Sequence, residues 1–340
     1  MFWLVLGLLF YCEPDTVLVF TQKEHPDFKL FHYLDRYEEL DEYGKERMIS
    51  GGAAWIGDLY ANDDGTYVFT TEYPAQLVIM HNGRVIATLP DAIVSYFGRV
   101  GVAFLGDYVY IAGRIRTKTL YRVRIPTGEV DTIKGILTGG FVRTDQKNRY
   151  ILLGGIPEDI AKKLGVSPYR HITVYTEDLK PVAVLFGGQN TMSAEYAYVI
   201  SGFRRGQQKL IILKSRVEDK GFIKVIRIEK YREMGVREIV RKEPDSHLGI
   251  LGMDRNGNVY IDECIKEDPS TGYMHYRVNP EGVVTGAINA KLREFFHKKG
   301  SLSSISPGGN YYVLFIDGSK GDWRLVVVRW TREQFDSFCQ

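Results

Sequence analysis

An all-β chain of repeated four-stranded antiparallel sheets is what this sequence predicts, and three observations predict it. The first is a recurring phrase, in which a turn rich in Asp, Asn and Gly leads into a short β-branched and aromatic run. A polar loop and a second such run follow. Asp63-Asp64-Gly65-Thr66-Tyr67-Val68-Phe69 is one copy and Asp254-Arg255-Asn256-Gly257-Asn258-Val259-Tyr260-Ile261 is the clearest. Leu105-Gly106-Asp107-Tyr108-Val109-Tyr110-Ile111 and Ser306-Pro307-Gly308-Gly309-Asn310-Tyr311-Tyr312-Val313 are looser copies. The second is composition: 22 Tyr and 17 Phe, with many Val and Ile, favour strands. The third is that helical patterns are few and short. One such sheet cannot bury both of its faces, so copies must pack on one another.

Taken in order, the strands fall into six groups separated by turn signals. The first is Trp55–Ala61, Tyr67–Thr71, Gln76–Met80 and Val85–Leu89. Its last hairpin, His81-Asn82-Gly83-Arg84, has the Asn-Gly pair that a tight turn with positive φ selects. The second is Val100–Leu105, Tyr108–Gly113, Leu120–Ile125 and Val130–Ile133, and the third Gly140–Arg143, Arg149–Gly154, His171–Thr176 and Val182–Phe186. The fourth is Thr191–Ala194, Tyr196–Gly202, Lys209–Lys214 and Ile223–Ile228. The fifth is Leu248–Met253, Val259–Glu263, Tyr273–Val278 and Val283–Ile288. The sixth has only Leu302–Ile305, Tyr311–Ile316 and Leu325–Arg329.

The sixth group is one strand short, and Thr16–Phe20 is a strand-like run with no group of its own. Pairing the two closes the array and removes an open sheet edge. The expectation is a six-bladed β-propeller of four-stranded antiparallel blades, its ring closed by an N-terminal strand. Phe28–Leu34 competes for that place, and if both runs join blades a seven-bladed ring results. Short helices are expected at Pro157–Gly165, where Pro opens and Gly closes the segment, and at Ala290–Lys299 and Thr331–Phe338. The charged stretch Asp35–Met48 is a further helical candidate.

With the repeat in view, the chain resembles the six-bladed propellers of the NHL-like group. Asp254–Ile261 matches that group's inner hairpin best, and Asp63–Phe69 with Leu77-Val78-Ile79 and Asn82-Gly83-Arg84-Val85 comes next. The Gly-His and Trp-Asp pairs of the Trp-Asp repeat propellers are missing. The resemblance, over about residues 50–330, implies a fold and no active site.

Net charge and cysteines narrow the function classes. A formal charge of +2 over 340 residues calls for no nucleic acid or anionic membrane surface as partner. Cys12, Cys264 and Cys339 form neither a CxxC nor a Cys/His ligand set, and an odd number leaves at least one outside any internal disulfide. Met1–Tyr11 is apolar throughout and Cys12-Glu13-Pro14-Asp15 ends the run. Its length is that of a signal-peptide core, too short to span a bilayer, and a Cys after it resembles a bacterial lipoprotein signal. Tyr11 stands where that signal has a small residue, and no Lys or Arg precedes the run. A buried first strand, in a cytoplasmic protein, is the alternative. The chain is therefore divided into residues 1–12, a signal or lipoprotein segment, and 13–340, one propeller domain. It is expected to be exported, periplasmic or tethered to a membrane by its N-terminus alone.

Site candidates follow from the loop positions that carry binding in such folds. Arg114 and Arg116 lie in one polar loop, Arg170 and His171 at the end of the longest, and Arg204 and Arg205 in a third. Together they suit an anionic ligand such as a glycan, phosphate or carboxylate, because Arg grips such groups through paired hydrogen bonds. Read singly, they are solvated hairpin tips. Asp58, Arg99, Arg143, Glu195 and His247 lie in or beside first strands, where a propeller's channel runs. Carboxylates there suggest Ca²⁺, but Asp58 and Glu195 fall short of the six or more oxygens that ion takes, so ordinary channel lining is the simpler reading. Asp254-Arg255-Asn256-Gly257-Asn258 opens like a calcium loop but has Ile265 where the closing Glu belongs, and reads as a turn. Gly-x-Ser-x-Gly and Gly-x-Gly-x-x-Gly are both absent. The sequence thus points to a monomeric, non-catalytic binding or scaffold module without a cofactor, whose partner is another protein or an anionic small molecule or glycan. The alternative is a metal-dependent lactonase or esterase using Ca²⁺ in the channel.

Overall fold

The computed structural model describes residues 14–42, 56–72, 75–90, 101–113, 118–146, 149–164, 168, 171–186, 196–204, 207–214, 222–229, 232–240, 247–256, 258–264, 273–278, 284–288 and 299–334. Among the described residues, six four-stranded antiparallel sheets follow one another along the chain. Sheet one is β2 (Ile56–Ala61), β3 (Thr66–Glu72), β4 (Ala75–His81) and β5 (Arg84–Pro90). Sheet two is β6 (Gly101–Leu105), β7 (Tyr108–Ala112), β8 (Thr119–Arg124) and β9 (Val130–Lys134). Sheet three is β10 (Val142–Asp145), β11 (Tyr150–Gly154), β12 (His171–Thr176) and β13 (Pro181–Phe186). Sheet four is β14 (Tyr196–Arg204), β15 (Gln207–Lys214), β16 (Phe222–Glu229) and β17 (Arg232–Val240). Sheet five is β18 (His247–Met253), β19 (Val259–Cys264), β20 (Tyr273–Val278) and β21 (Val284–Ile288).

Sheet six differs. Its strands β22 (Lys299–Ile305), β23 (Tyr311–Asp317) and β24 (Arg324–Trp330) are joined by β1 (Asp15–Thr21), which lies outside β24 and antiparallel to it. The N-terminal strand thus fills the place left open in the last group. Consecutive four-stranded meanders of this kind are the blades of a β-propeller.

Two expectations need correction. Phe28–Leu34 is not a strand: helix α1 spans Lys29–Glu42 and buries Leu30, Phe31 and Leu34. Those three residues stand at i, i+1 and i+4, one face of a helix, and their periodicity outweighs the aromatic content that suggests a strand. In sheet four the strand count shifts by one. Tyr196–Arg204 is the first strand, not the second, and Arg232–Val240, unassigned in the sequence, is the fourth. Its charged residues alternate with Met234, Val236 and Ile239 too loosely for a clear two-residue period, which hid it. Thr191–Ala194 lies outside the described residues. The short helix expected at Pro157–Gly165 is present as α2 (Glu158–Leu164). Most of Ala290–Lys299 and of Thr331–Phe338 lies outside the described residues.

The chain divides into two compact units. The first, from Met1–Tyr96 and Ala290–Phe338, holds sheets one and six with β1 and α1. Its core joins Leu59, Tyr67, Phe69, Val78 and Met80 of sheet one to Tyr312, Leu314, Ile316, Leu325 and Val327 of sheet six, with Trp323 between β23 and β24. Leu18 and Phe20 of β1 and the apolar face of α1 complete it. The second unit, Phe97–Asn289 with the last two residues, holds sheets two to five. There Ala103, Leu105, Tyr110, Ala112 and Leu120 of sheet two pack on Val142, Ile151, Leu153 and Tyr175 of sheet three. Each buried Val, Leu, Ile, Phe or Met among these contributes about 1.5–3 kcal/mol on burial. Outer strands behave differently: β5 and β9 are mostly exposed and carry the exposed Val85 and Val130, while β1 buries Leu18 and Phe20 and exposes Val19.

Candidate functional site

The turns joining first and second strands carry the repeated phrase and a cluster of buried and half-buried carboxylate hydrogen bonds. In three of them the opening amide donates to the carbonyl four residues on: Asn62 to Thr66 at 2.9 Å, Asp254 to Asn258 at 3.0 Å and Ser306 to Asn310 at 2.9 Å. These turns are equivalent, yet they are stabilised differently. Asp254 satisfies its own turn. Its Oδ1 accepts from the amides of Asn256 and Asn258 at 2.9 and 3.0 Å, and its Oδ2 from Asn258 Nδ2 at 2.7 Å and the Tyr260 hydroxyl at 3.2 Å. An Asp side chain capping the backbone two residues on is the reason Asp opens such turns. The carboxylate is buried and ringed by protein donors, which fits the turn reading of this segment.

Ser306, at the equivalent position, caps its turn through one oxygen, its Oγ accepting from the Asn310 amide at 3.2 Å, and brings no carboxylate. Asp63 of sheet one supplies the carboxylate instead. Its Oδ1 accepts from the Ser306 hydroxyl and from Asn310 Nδ2 at 2.8 Å, and its Oδ2 from the Gly308 amide at 2.6 Å. A Cβ on Gly308 would stand 2.6 Å from that carboxylate, so a larger residue there would have to push the Asp63 side chain aside. Asn310 Oδ1 in turn accepts from the Arg332 amide at 2.9 Å. Asp63 thereby joins the first sheet to the last.

Beside these turns runs a row of side chains that no sequence motif singled out. Tyr312 faces Arg329 across β23 and β24, and Arg329 faces Asp15 of β1, which its Nη2 meets at 2.9 Å. In sheet two Tyr110 faces Arg122 and Arg122 faces Asp131, with Arg122 Nη2 2.7 Å from Asp131 Oδ2. Sheet five repeats the start, Tyr260 opposite Arg277. The only signal in the sequence was a Tyr on a second strand with an Arg on the third, legible once the register is known. Arg122 and Arg329 are held charged above the usual range, first by their aspartates, Asp131 and Asp15. Burial pushes the hydroxyls of Tyr110, Tyr312 and Tyr67 up, and for Tyr312 the carboxylate of Asp63 adds to it. Arg122 also lies 4.6 Å from the Tyr108 ring centre. Sheets six and two thus each carry, within the sheet, a buried phenol beside a paired arginine and aspartate.

The sequence-derived candidates are scattered. Asp58 is half-buried in β2 of the first unit. Arg143, in β10 of the second, turns back on the chain: its Nη1 donates to the Val142 carbonyl at 2.9 Å and its guanidinium lies 5.3 Å from the Phe141 ring. His171 opens β12 and His247 opens β18. Arg204 ends β14, so it lies in the hairpin between first and second strands of sheet four. The sequence reading placed that loop between second and third strands, and the strand-count correction moves it to the other end of the sheet. Arg99, Arg114, Arg116, Arg170, Glu195 and Arg205 lie outside the described residues. Among the described residues no group of three or more His, Cys, Asp or Glu is placed to hold a metal ion. No helix among them is long and apolar enough to cross a membrane.

No protein-family model matches the chain, and no curated protein matches it. Solved structures do resemble it. A catalytically inactive virginiamycin B lyase from Staphylococcus aureus, crystallised with quinupristin, is 11% identical at a TM-score of 0.42, over 82% of this chain and 82% of that one. A Bacteroides thetaiotaomicron protein of unknown function is 12% identical at a TM-score of 0.46, over 83% of this chain and 71% of the other. A presumed exported protein from Bacteroides fragilis is 7% identical at a TM-score of 0.43, over 84% and 92%.

Proposed function

We propose that residues 13–340 form one six-bladed propeller closed by β1, acting as a non-catalytic binding or scaffold module of the cell envelope or exported space. Residues 1–12 are its export or lipoprotein segment. Its ligand, a protein or an anionic small molecule or glycan, binds on the loops or at the channel mouth, where Arg114, Arg116 and Arg170 supply positive charge. Closure is supported by Asp15, which gives β1 the same charged partner for the third strand that Asp131 gives in sheet two. The non-catalytic reading is carried by one observation: Asp63 and Asp254, the carboxylates at the repeated turns, are engaged by protein donors on both oxygens. A carboxylate so occupied is an acceptor holding backbone, not a poised acid or base. Native mass spectrometry with metal analysis, on protein from its own host, tests this. The expected result is a retained anionic ligand or partner chain without stoichiometric divalent metal. A stoichiometric divalent metal, lost together with lactone hydrolysis on Asp58→Ala or Glu195→Ala, overturns it.

A further inference from the structure

The N-terminal segment is attached to the rest of its unit in an unusual way. β1 is the outermost strand of its sheet and pairs with β24 from Asp15 opposite Arg329 to Thr21 opposite Arg324. The chain then turns, with His25 stacked on Phe20 at 3.8 Å, and enters α1. Gln22 and Asp35 fasten this turn and helix to one hairpin. The Gln22 amide donates to the Trp323 carbonyl at 2.8 Å, and the Trp323 amide donates to Gln22 Oε1 at 3.2 Å. Asp35 Oδ1 accepts from the Gly321 amide and from Trp323 Nε1, both at 2.9 Å, while its Oδ2 accepts from Gln22 Nε2 at 2.6 Å. The Lys23–Asp322 and Arg329–Asp15 ion pairs end on the same stretch. The strand, turn and helix thus share one polar anchor region, residues 321–329.

The helix adds little stability of its own. Lys29 stands at its start, the first turn has no acidic residue and the last turn no basic one. Positions 38, 39, 41 and 42, near its end, are Glu, Glu, Asp and Glu. This order opposes the helix dipole, which favours acids at the start and bases at the end. Such a helix persists through docking, here of Leu30, Phe31 and Leu34, rather than through propensity. Segments that form one cooperative unit at the edge of a sheet open below the global unfolding free energy.

We propose that residues 14–42 are a strap that opens and recloses as one unit while the remaining strands of sheets one and six stay paired, with Asp35 as its fastener. Opening frees the pairing edge of β24 and the apolar face that covers Trp323. This inference stands on the observed pairing of β1 with β24 and not on the six-bladed reading. Hydrogen exchange read by mass spectrometry on the full chain tests it. In the unaltered protein, amides of 14–42 and their partners in β24 are expected to exchange together and at least about tenfold faster than those of β3 and β23. Asp35→Ala should speed the strap about tenfold or more and leave β3 unchanged, because a carboxylate with three donors is lost, while Asp35→Asn, which keeps Oδ1, falls between. Exchange of the strap at the same rate as β3 in the unaltered protein overturns the proposal. So does an Asp35→Ala effect spread evenly over both sheets.

Discussion

The junction between sheets six and one and that between sheets two and three solve one packing problem with different chemistry. At the second, main chain meets main chain. A Cβ on Gly101 of β6 would stand 2.7 Å from the Val142 amide nitrogen and 2.8 Å from the Gly140 carbonyl oxygen. Thr144 of β10 donates to the Phe104 carbonyl at 2.7 Å, and Gln146 donates to the same oxygen. At the first, the contacts are made by side chains: the Asp63 carboxylate on the Ser306–Asn310 turn, a T-shaped Tyr67–Tyr312 pair at 5.9 Å, and the α1 face. Sheets two and three are neighbours in sequence, so a short connection already holds them close. Sheets one and six are brought together from opposite ends of the chain, against a larger loop-closure cost. That junction carries the larger aromatic core and the Asp63 hydrogen-bond latch.

Glycine substitution sharpens the contrast most. Gly101→Ala drives a methyl into rigid backbone and should cost about 3 kcal/mol or more in urea unfolding. Gly308→Ala meets only the end of the Asp63 side chain, which can withdraw, so its cost should be smaller and should vanish in an Asp63→Ala background. Equal costs for the two changes would erase the distinction between a backbone and a side-chain junction.

Alkaline titration probes both junctions through buried phenols. Burial pushes the Tyr175 hydroxyl, in the core of sheets two and three, up to about 12 from 10.0. The folded state therefore holds its proton where the unfolded chain has lost it. Stability is intact below pH 10 and falls as pH rises from 10 through about 12, by about 2–3 kcal/mol for this residue. Tyr67 and Tyr312 add a loss of the same sign at the other junction. Melting temperatures against pH should show Tyr175→Phe with a shallower alkaline decline; an unchanged decline would place the sensitivity elsewhere.

The smallest effect is expected from Thr144→Val, which keeps the shape and removes two hydrogen bonds, the one donated to the Phe104 carbonyl and the one accepted from Gln146 Nε2 at 3.1 Å. A loss of about 1 kcal/mol is predicted, because Gln146 still serves the Phe104 carbonyl. A loss near that of Gly101→Ala would mean that the hydroxyl, not the glycine contact, sets the spacing of these sheets.

Much of the fold was readable because strand and turn signals are local. The Asn82-Gly83 pair predicts its hairpin, and both residues take positive φ, 47° and 75°. Trp323 and Trp330, large and apolar, are fully buried. The site was far less readable because its partners are remote. Nothing near Asp63 announces Ser306, 243 residues away, and its local setting matches that of any turn Asp. Asp15 likewise looks like the polar end of a leader until β1 lies beside β24. Strand β17 was missed for a different reason: its charges mask the alternation by which half-buried strands are recognised.

A double-mutant cycle on Asp63 and Ser306 tests most directly whether polar groups at the repeated turns hold sheets together. Asp63→Ala alone should cost about 2–3 kcal/mol, since the Gly308 amide and Asn310 Nδ2 lose their acceptor. The pair should show a coupling of about 1–2 kcal/mol in equilibrium unfolding. Strictly additive losses, or an Asp63→Ala protein as stable as the parent, would contradict a latch between the first and last sheets.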